Sequence, residues 1–478
     1  MTSGMNFWDS SIWELMVELA ILMAGMMVAN MLRRTIKPLR QSLIPSSVIG
    51  GFLILIASSI YESITGTPMF HKVTMETLTY HGLGLGFIAL ALKASEKQSD
   101  KGSKTDIFNT GLTVVSSYLL QGLIGLAITL GLSYLIGNWP ASGLLLPMGY
   151  GQGPGQAYNW GNIYATATDY PAFSGGASFG LTVAAMGFIS SGIGGVIYLN
   201  NMKRKGRIKQ QILNADEVED LSAEMVTKKG EIPLTESLDK LTVQFGFVFL
   251  TYIAAYLLMR GASIGLDSLG GFFAGTVKPL IWGFNFLIGS FLAIAFKSIL
   301  RGLKKVNIVH RQYLNNFMLN RIAGVMFDLM VVASISAIDL SAFSHKEFIV
   351  PLILICAVGG LITYWQCNYV CKRLFPTYTD ESFLALYGML TGTASTGVIL
   401  LREIDPLFET PASSNLIYQQ TWAIVFGFPM LMLMGIAPMS NAWSWFTVGA
   451  LFVLSVLINL LLFRKNIFGR GKGRSGAK

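Results

Sequence analysis

The chain has 478 residues, of which 52% are hydrophobic and only 13% charged, and it carries a formal net charge of +9. That charged fraction is about half that of an ordinary globular domain, which argues against a soluble enzyme or binding module and for a polytopic membrane protein. The positive charge is not a nucleic-acid footprint, because Lys and Arg fall in short loops between apolar segments instead of one patch.

A membrane span needs ~20 mostly apolar residues. In chain order the sequence offers eleven: 12–32, 44–60, 80–92, 107–136, 176–199, 241–259, 277–296, 317–338, 348–370, 416–437 and 443–463, with 80–92 the shortest. No basic stretch precedes the first run, and Arg33 and Arg34 follow it, so the first span is expected to be retained and not cleaved as a signal peptide. Two further apolar segments, 143–164 and 383–401, are interrupted by glycine and small polar residues and are expected to be re-entrant or broken helices. The three cysteines, Cys356, Cys367 and Cys371, share one apolar run with no neighbouring His or acid, and are expected to be small buried hydrophobes.

Basic residues crowd alternate loops: Arg33 to Arg40, Lys93 to Lys104, Lys203 to Lys240, Lys297 to Arg321, the pair Lys372 and Arg373, and the tail from Arg464. The opposite loops hold only Lys72, Arg260, Lys278 and Lys346. By the positive-inside rule the N-terminus is expected outside and the tail in the cytoplasm. The polar stretch 200–240, which mixes acids and bases, is then a cytoplasmic linker. It separates five spans from five more plus one extra, and each half carries its interrupted segment between its fourth and fifth span. Five is odd, so the halves enter the membrane from opposite sides, the pattern of an inverted-topology repeat. The expected organisation is all-α: a first transmembrane repeat at 1–199, the linker at 200–240, a second inverted repeat at 241–440, and an extra helix with a basic tail at 441–478.

The first interrupted segment, Leu146-Pro147-Met148-Gly149-Tyr150-Gly151-Gln152-Gly153-Pro154-Gly155-Gln156, alternates four glycines. Glycine lowers helix stability by about 1 kcal/mol and proline by about 3, so an open backbone is expected here. Gln152, Gln156, Asn159 and Asn162 supply amides beside it. No G-x-G-x-x-G register fits a dinucleotide site. Gly149-Tyr150-Gly151 echoes part of a potassium-channel filter, with Pro147-Met148 in place of Thr-Val.

The second segment dissolves between Thr391 and Gly397 and resumes at Val398 before meeting Arg402, Glu403 and Asp405. Thr391, Thr393, Ser395 and Thr396 offer hydroxyls beside Gly392. A half-helix starting near Gly397 would point its positive end at an anion. Arg402 matches a carboxylate in bidentate geometry; Glu403 or Asp405 pairing with it, or snorkelling to the cytoplasmic interface, remain open as alternatives. Asp328, mid-span, is a candidate sodium ligand, with structural pairing as its alternative, and Asn162 is a second sodium candidate. Glu14 and Glu18, one turn apart toward the outer end of the first span, are expected to take an interfacial or oligomer-facing role, with a cation-binding pair as the alternative. No H-E-x-x-H, P-loop or G-x-S-x-G motif occurs, so nothing supports an enzyme, and transport would draw on an ion gradient.

These residues together resemble the bacterial sodium/glutamate symporters. Ile44-Pro45-Ser46-Ser47-Val48-Ile49-Gly50-Gly51 looks like that family's I-P-x-P-V-x-G-G start of the second helix. Gly153-Pro154-Gly155 falls where the family has G-G-H-G-T, and Gly392-Thr393-Ala394-Ser395-Thr396 where it has G-A-T-P-T. Phe179-Gly180-Leu181 and Gly192-Ile193-Gly194-Gly195 are similar to its glycine-patterned helix after the first hairpin. The resemblance implies two inverted five-helix repeats, a homodimer, an elevator-like movement and sodium-driven glutamate uptake in the bacterial inner membrane. The chain departs from the family pattern at Pro154, Gln156, Arg402 and Glu403, and by an eleventh span and a long linker. The expected function is therefore Na+-coupled import of glutamate or a related small carboxylate, the pocket formed by Gln152, Gly153, Gly155, Gln156, Thr391, Gly392, Thr393, Ser395, Thr396 and Arg402. A cation channel, or an ion-binding membrane sensor or scaffold without transport, is the alternative.

Overall fold

The computed structural model describes residues 8–93, 104–206, 239–271, 273–308, 311–406 and 409–464, and among them every regular element is helical. The long helices are α1 (Ser10–Thr35), α2 (Ser46–Thr65), α3 (Lys72–Leu92), α4 (Lys104–Ile136), α5 (Pro154–Ala165) and α6 (Gly176–Arg204) in the first half. After the 200–240 stretch come α7 (Lys240–Leu269), α8 (Asn285–Lys305), α9 (Asn316–Ser336), α10 (Lys346–Leu374), α11 (Thr379–Thr391), α12 (Ala394–Arg402), α13 (Ala412–Tyr418), α14 (Gln420–Ile436) and α15 (Asn441–Leu462).

The eleven expected spans are all helical, with 277–296 divided at Phe284 and 416–437 at Gln419, and among the described residues the structure has ten helices long and apolar enough to cross a bilayer. The exception is α3, which extends further toward the N-terminus than its apolar run and includes Lys72 and Glu76. It needs less apolarity because other helices cover it. Leu85, Ile88 and Ala89 pack in one core with Val248 of α7, Ala293 of α8 and Leu319 of α9. Polar caps fix several starts: Asp239 accepts from the Leu241 N–H at 2.8 Å before α7, and Asn315 from the Met318 N–H at 2.9 Å before α9. Each such cap contributes about 1 kcal/mol.

The helices fall into two compact units that interleave along the chain. One takes α1 as far as Leu32 with α2, α3, α7, α8 and α9. The other takes residues 33–45, α4, the first interrupted segment, α5, α6 and everything from α10 to α15. Both interrupted segments therefore belong to the second unit.

Helix α6 runs to Arg204, into the start of the polar stretch. Residues 207–238 of that linker, the basic loop 94–103 and the tail 465–478 lie outside the described residues. The three cysteines are free and buried, as small hydrophobes should be. Glu14 and Glu18 turn to His71: its Nδ1 lies 2.6 Å from Glu14 Oε1, and its backbone N–H donates to the buried Glu18 at 2.6 Å.

Candidate functional site

The two interrupted segments break at narrower points than their compositions suggested. In the first, the backbone stays helical through a wide turn over Met148–Gln152, and only Gly153 leaves it, with φ +86° and ψ −176°. A left-handed φ of this kind is available to glycine and strained for any other residue. The neighbouring glycines serve packing instead of an open backbone. A Cβ on Gly151 would meet the Tyr118 ring, and the Tyr118 hydroxyl donates to the Gly151 carbonyl at 3.0 Å. Gly149-Tyr150-Gly151 is thus wound into a helical turn, not an extended filter. Its tyrosine is buried and donates to the Cys356 carbonyl at 2.7 Å.

In the second segment α11 reaches Thr391, the chain leaves helical geometry at Gly392 and Thr393, and α12 resumes at Ala394. The expected restart near Gly397 is thus three residues late. Gly397 is helical, and its role is close approach: a Cβ there would stand 2.3 Å from the Ala385 carbonyl oxygen. The α11–α12 pair is therefore a tight hairpin with its tip at Gly392–Thr393.

The two breaks touch. A Cβ on Gly153 would lie 2.9 Å from Thr393 Cγ2 and 3.6 Å from the Gly392 carbonyl oxygen. Gly153 is the N-cap of α5 and Thr393 the N-cap of α12, and neither donates or accepts a side-chain cap bond. The first-turn N–H groups of a helix have no partner within it, so the positive ends of two helices meet at this contact. Pro154 at the start of α5 brings no N–H; Gly155 and Gln156 do, as do Ala394, Ser395 and Thr396 at the start of α12. The opposite ends of the same breaks, Gln152 and Thr391, are carbonyl-rich. One place thus offers donors for an anion and acceptors for a cation.

Most sequence-selected residues are gathered here. Gly153, Gly155, Gln156, Thr391, Gly392 and Thr396 are buried; Gln152 and Thr393 are partly so, and Ser395 is exposed. The Thr393 and Thr396 hydroxyls are 3.3 Å apart, and Thr391 Oγ1 donates to the Tyr387 carbonyl at 2.6 Å. Gln156 is only 2% exposed and its Nε2 makes no hydrogen bond, a buried donor turned to no protein acceptor.

Three selected residues are not gathered here. Arg402 is exposed in the last turn of α12, a helix length of about 12 Å from Ala394. The Asp405 carboxylate is buried and accepts from the Glu409 N–H at 2.7 Å and the Thr410 N–H at 3.0 Å. Glu403 lies within electrostatic reach of Arg33. Asn162 is exposed, about 12 Å along α5 from Pro154. Asp328 belongs to the first unit, on α9, near the Ser47 side chain at the start of α2. Among the described residues no three His, Cys, Asp or Glu side chains cluster as a metal site.

Sequence reading missed the two α4 residues that hold the breaks. Tyr118 binds the Gly151 carbonyl, and one turn on Gln121 Nε2 donates to the Leu390 carbonyl of α11 at 3.0 Å. The signal was present as Ser116, Ser117, Tyr118 and Gln121, polar residues deep in a 33-residue apolar helix.

Residues 12–375 match the family described as sodium/glutamate symporter. The chain therefore belongs to the sodium/glutamate symporter family, and it is a membrane transport protein of a family whose coupling ion is Na+. The matched stretch holds the first break and ends before α11, so the second break lies beyond it. No curated protein matches the chain.

Proposed function

We propose that this member of the symporter family couples inward movement of Na+ to uptake of glutamate or a related small carboxylate. The observation that carries this reading is the contact of Gly153 with Thr393, which brings two uncapped helix N-termini to one point. A substrate carboxylate at that point accepts from the first-turn N–H groups of α5 and α12, where the helix dipoles add about 0.3–1 kcal/mol each, more when partly buried. Gln156 Nε2 supplies a further donor, and Gln152, Gly153, Gly155, Thr391, Gly392, Thr393, Ser395 and Thr396 complete the wall.

Arg402 stands too far along α12 for a bidentate contact at the break. In this reading it raises the local concentration of anionic substrate by its field. Asp328 is a cation-binding carboxylate of the first unit, next to the Ser47 hydroxyl, and Asn162 is a secondary sodium ligand on the exposed side of α5.

The interleaving of the two units supports an inverted repeat, 1–199 against 241–440, joined by the linker 200–240 and followed by an addition at 441–478. Each half gives its first three helices to one unit, and two long helices with an interrupted segment to the other. Both breaks lie in one unit, which suits an elevator-like movement carrying the substrate as a single body. The reading includes a homodimer in the bacterial inner membrane, with the N-terminus outside and the tail in the cytoplasm.

Uptake of radiolabelled glutamate into proteoliposomes, with and without an inward sodium gradient and against a panel of unlabelled organic acids, tests this function. Saturable, sodium-dependent accumulation competed by dicarboxylates and amino acids is expected. Flux without saturation or coupling would favour a channel, and sodium binding without flux a sensor.

A further inference from the structure

We infer that Gln121 Oε1 is a ligand for a monovalent cation at the carbonyl end of α11, beside the second break. Gln121 is fully buried in α4. Its Nε2 donates to the Leu390 carbonyl at 3.0 Å and to Thr363 Oγ1 at 2.8 Å. Those partners fix which end of the amide is which. The Leu390 carbonyl only accepts, and Thr363 has already given its proton to the Gly359 carbonyl at 2.7 Å, so both need the NH2 group. The amide oxygen is therefore the free end of the group, and it is buried with no hydrogen-bond donor.

An acceptor left bare in a protein interior carries a desolvation cost that something must offset. Here the surroundings favour a positive charge. The last carbonyls of α11 have no partner within the helix and hold the negative end of its dipole. Gln121 Oε1 is on the same amide that binds Leu390, one residue before the Thr391 end. Neutral amide and backbone oxygens at the end of a broken half-helix suit a hard, singly charged ion, and no carboxylate is required. Gln366 provides the internal comparison. Its Oε1 is also buried and unpaired, and its Nε2 donates to Ser116 Oγ at 2.9 Å. Ser116 precedes Gln121 by five positions, about 7.5 Å along α4 and away from the anchor that ties Gln121 to α11.

The inference rests on the sodium-coupled reading above, and its test separates the two. Thermal unfolding of the purified full chain is followed while NaCl replaces choline chloride at constant ionic strength, with no glutamate present. The wild-type chain is expected to be stabilised by sodium with a saturable midpoint. Gln121→Leu is expected to raise that midpoint at least tenfold, and Gln121→Asn, which retracts the oxygen by one methylene, to raise it by a smaller factor should the leucine variant fail to fold. Gln366→Leu is expected to leave it within twofold. Sodium midpoints unchanged in both Gln121 variants would overturn the site and leave a buried water as the partner of Oε1, with sodium coupling intact. An equal shift in Gln366→Leu would also overturn the assignment to the α11 end. A wild-type chain indifferent to sodium would overturn the coupling reading itself.

Discussion

Gly153 and Thr393 stand so close that a single methyl on the glycine would come within 2.9 Å of Thr393 Cγ2. They are 240 positions apart, each is the N-cap of a half-helix, and their contact makes one site of two chain interruptions.

Gly153→Ala meets two obstacles, the contact with Thr393 and a φ of +86°. Backbone strain of this kind costs about 1–3 kcal/mol. The variant is expected to unfold at lower temperature and to lose at least tenfold in uptake rate. Adding Thr393→Ser relieves the contact but not the strain, so the double variant is expected to recover part of the uptake and little of the stability. Melting curves and initial uptake rates read both.

Arg402→Gln separates a field effect from a bidentate contact. With Arg402 exposed at the far end of α12, the glutamate KM is expected to rise about two- to fivefold at low ionic strength, and the difference to vanish at high salt, where charges more than ~8–10 Å apart are screened. The kcat stays unchanged. A hundredfold loss independent of salt would place the guanidinium on the substrate instead.

Asp328→Asn is expected to weaken the sodium dependence of uptake by about tenfold while leaving the glutamate KM at saturating sodium unchanged. Ser47→Ala removes the hydroxyl near Asp328, and it is expected to change sodium dependence far less. Equal effects of the two substitutions on sodium activation curves would mean that the pair is structural.

Tyr118→Phe keeps the ring that packs on Gly151 and deletes the bond to its carbonyl. Leaving that buried carbonyl unpaired costs about 1–3 kcal/mol. Denaturant unfolding should show that loss, with uptake slowed and sodium affinity kept.

The sequence was most informative where one signal dominates. Apolar runs located the ten helices long enough to span and also α3, and glycine-rich interruptions located both breaks. Alternating glycines at 149, 151, 153 and 155 overstated the first break, because composition cannot separate a glycine that frees the backbone from one that admits a ring, as Gly151 admits Tyr118. Gly397 misled in the same way, since its purpose is the approach of α11 to α12. Arg402 looked central because it is charged inside an apolar segment, yet the length of α12 carries it away from the tip. Tyr118 and Gln121 act through carbonyls distant in sequence, and nothing in a local window pairs them. The sorting of helices into two units likewise depends on tertiary packing that no span prediction contains.

Cysteine protection at the tip of α12 tests the central claim most directly. The native thiols Cys356, Cys367 and Cys371 are buried, so Ser395→Cys, exposed in the first turn of α12, is expected to be the site that a hydrophilic maleimide modifies. Sodium with glutamate is expected to slow modification at least tenfold, and potassium with glutamate to leave it unchanged. Modification that proceeds at one rate under all conditions, in vesicles that still accumulate glutamate, would contradict a substrate site where the two breaks meet.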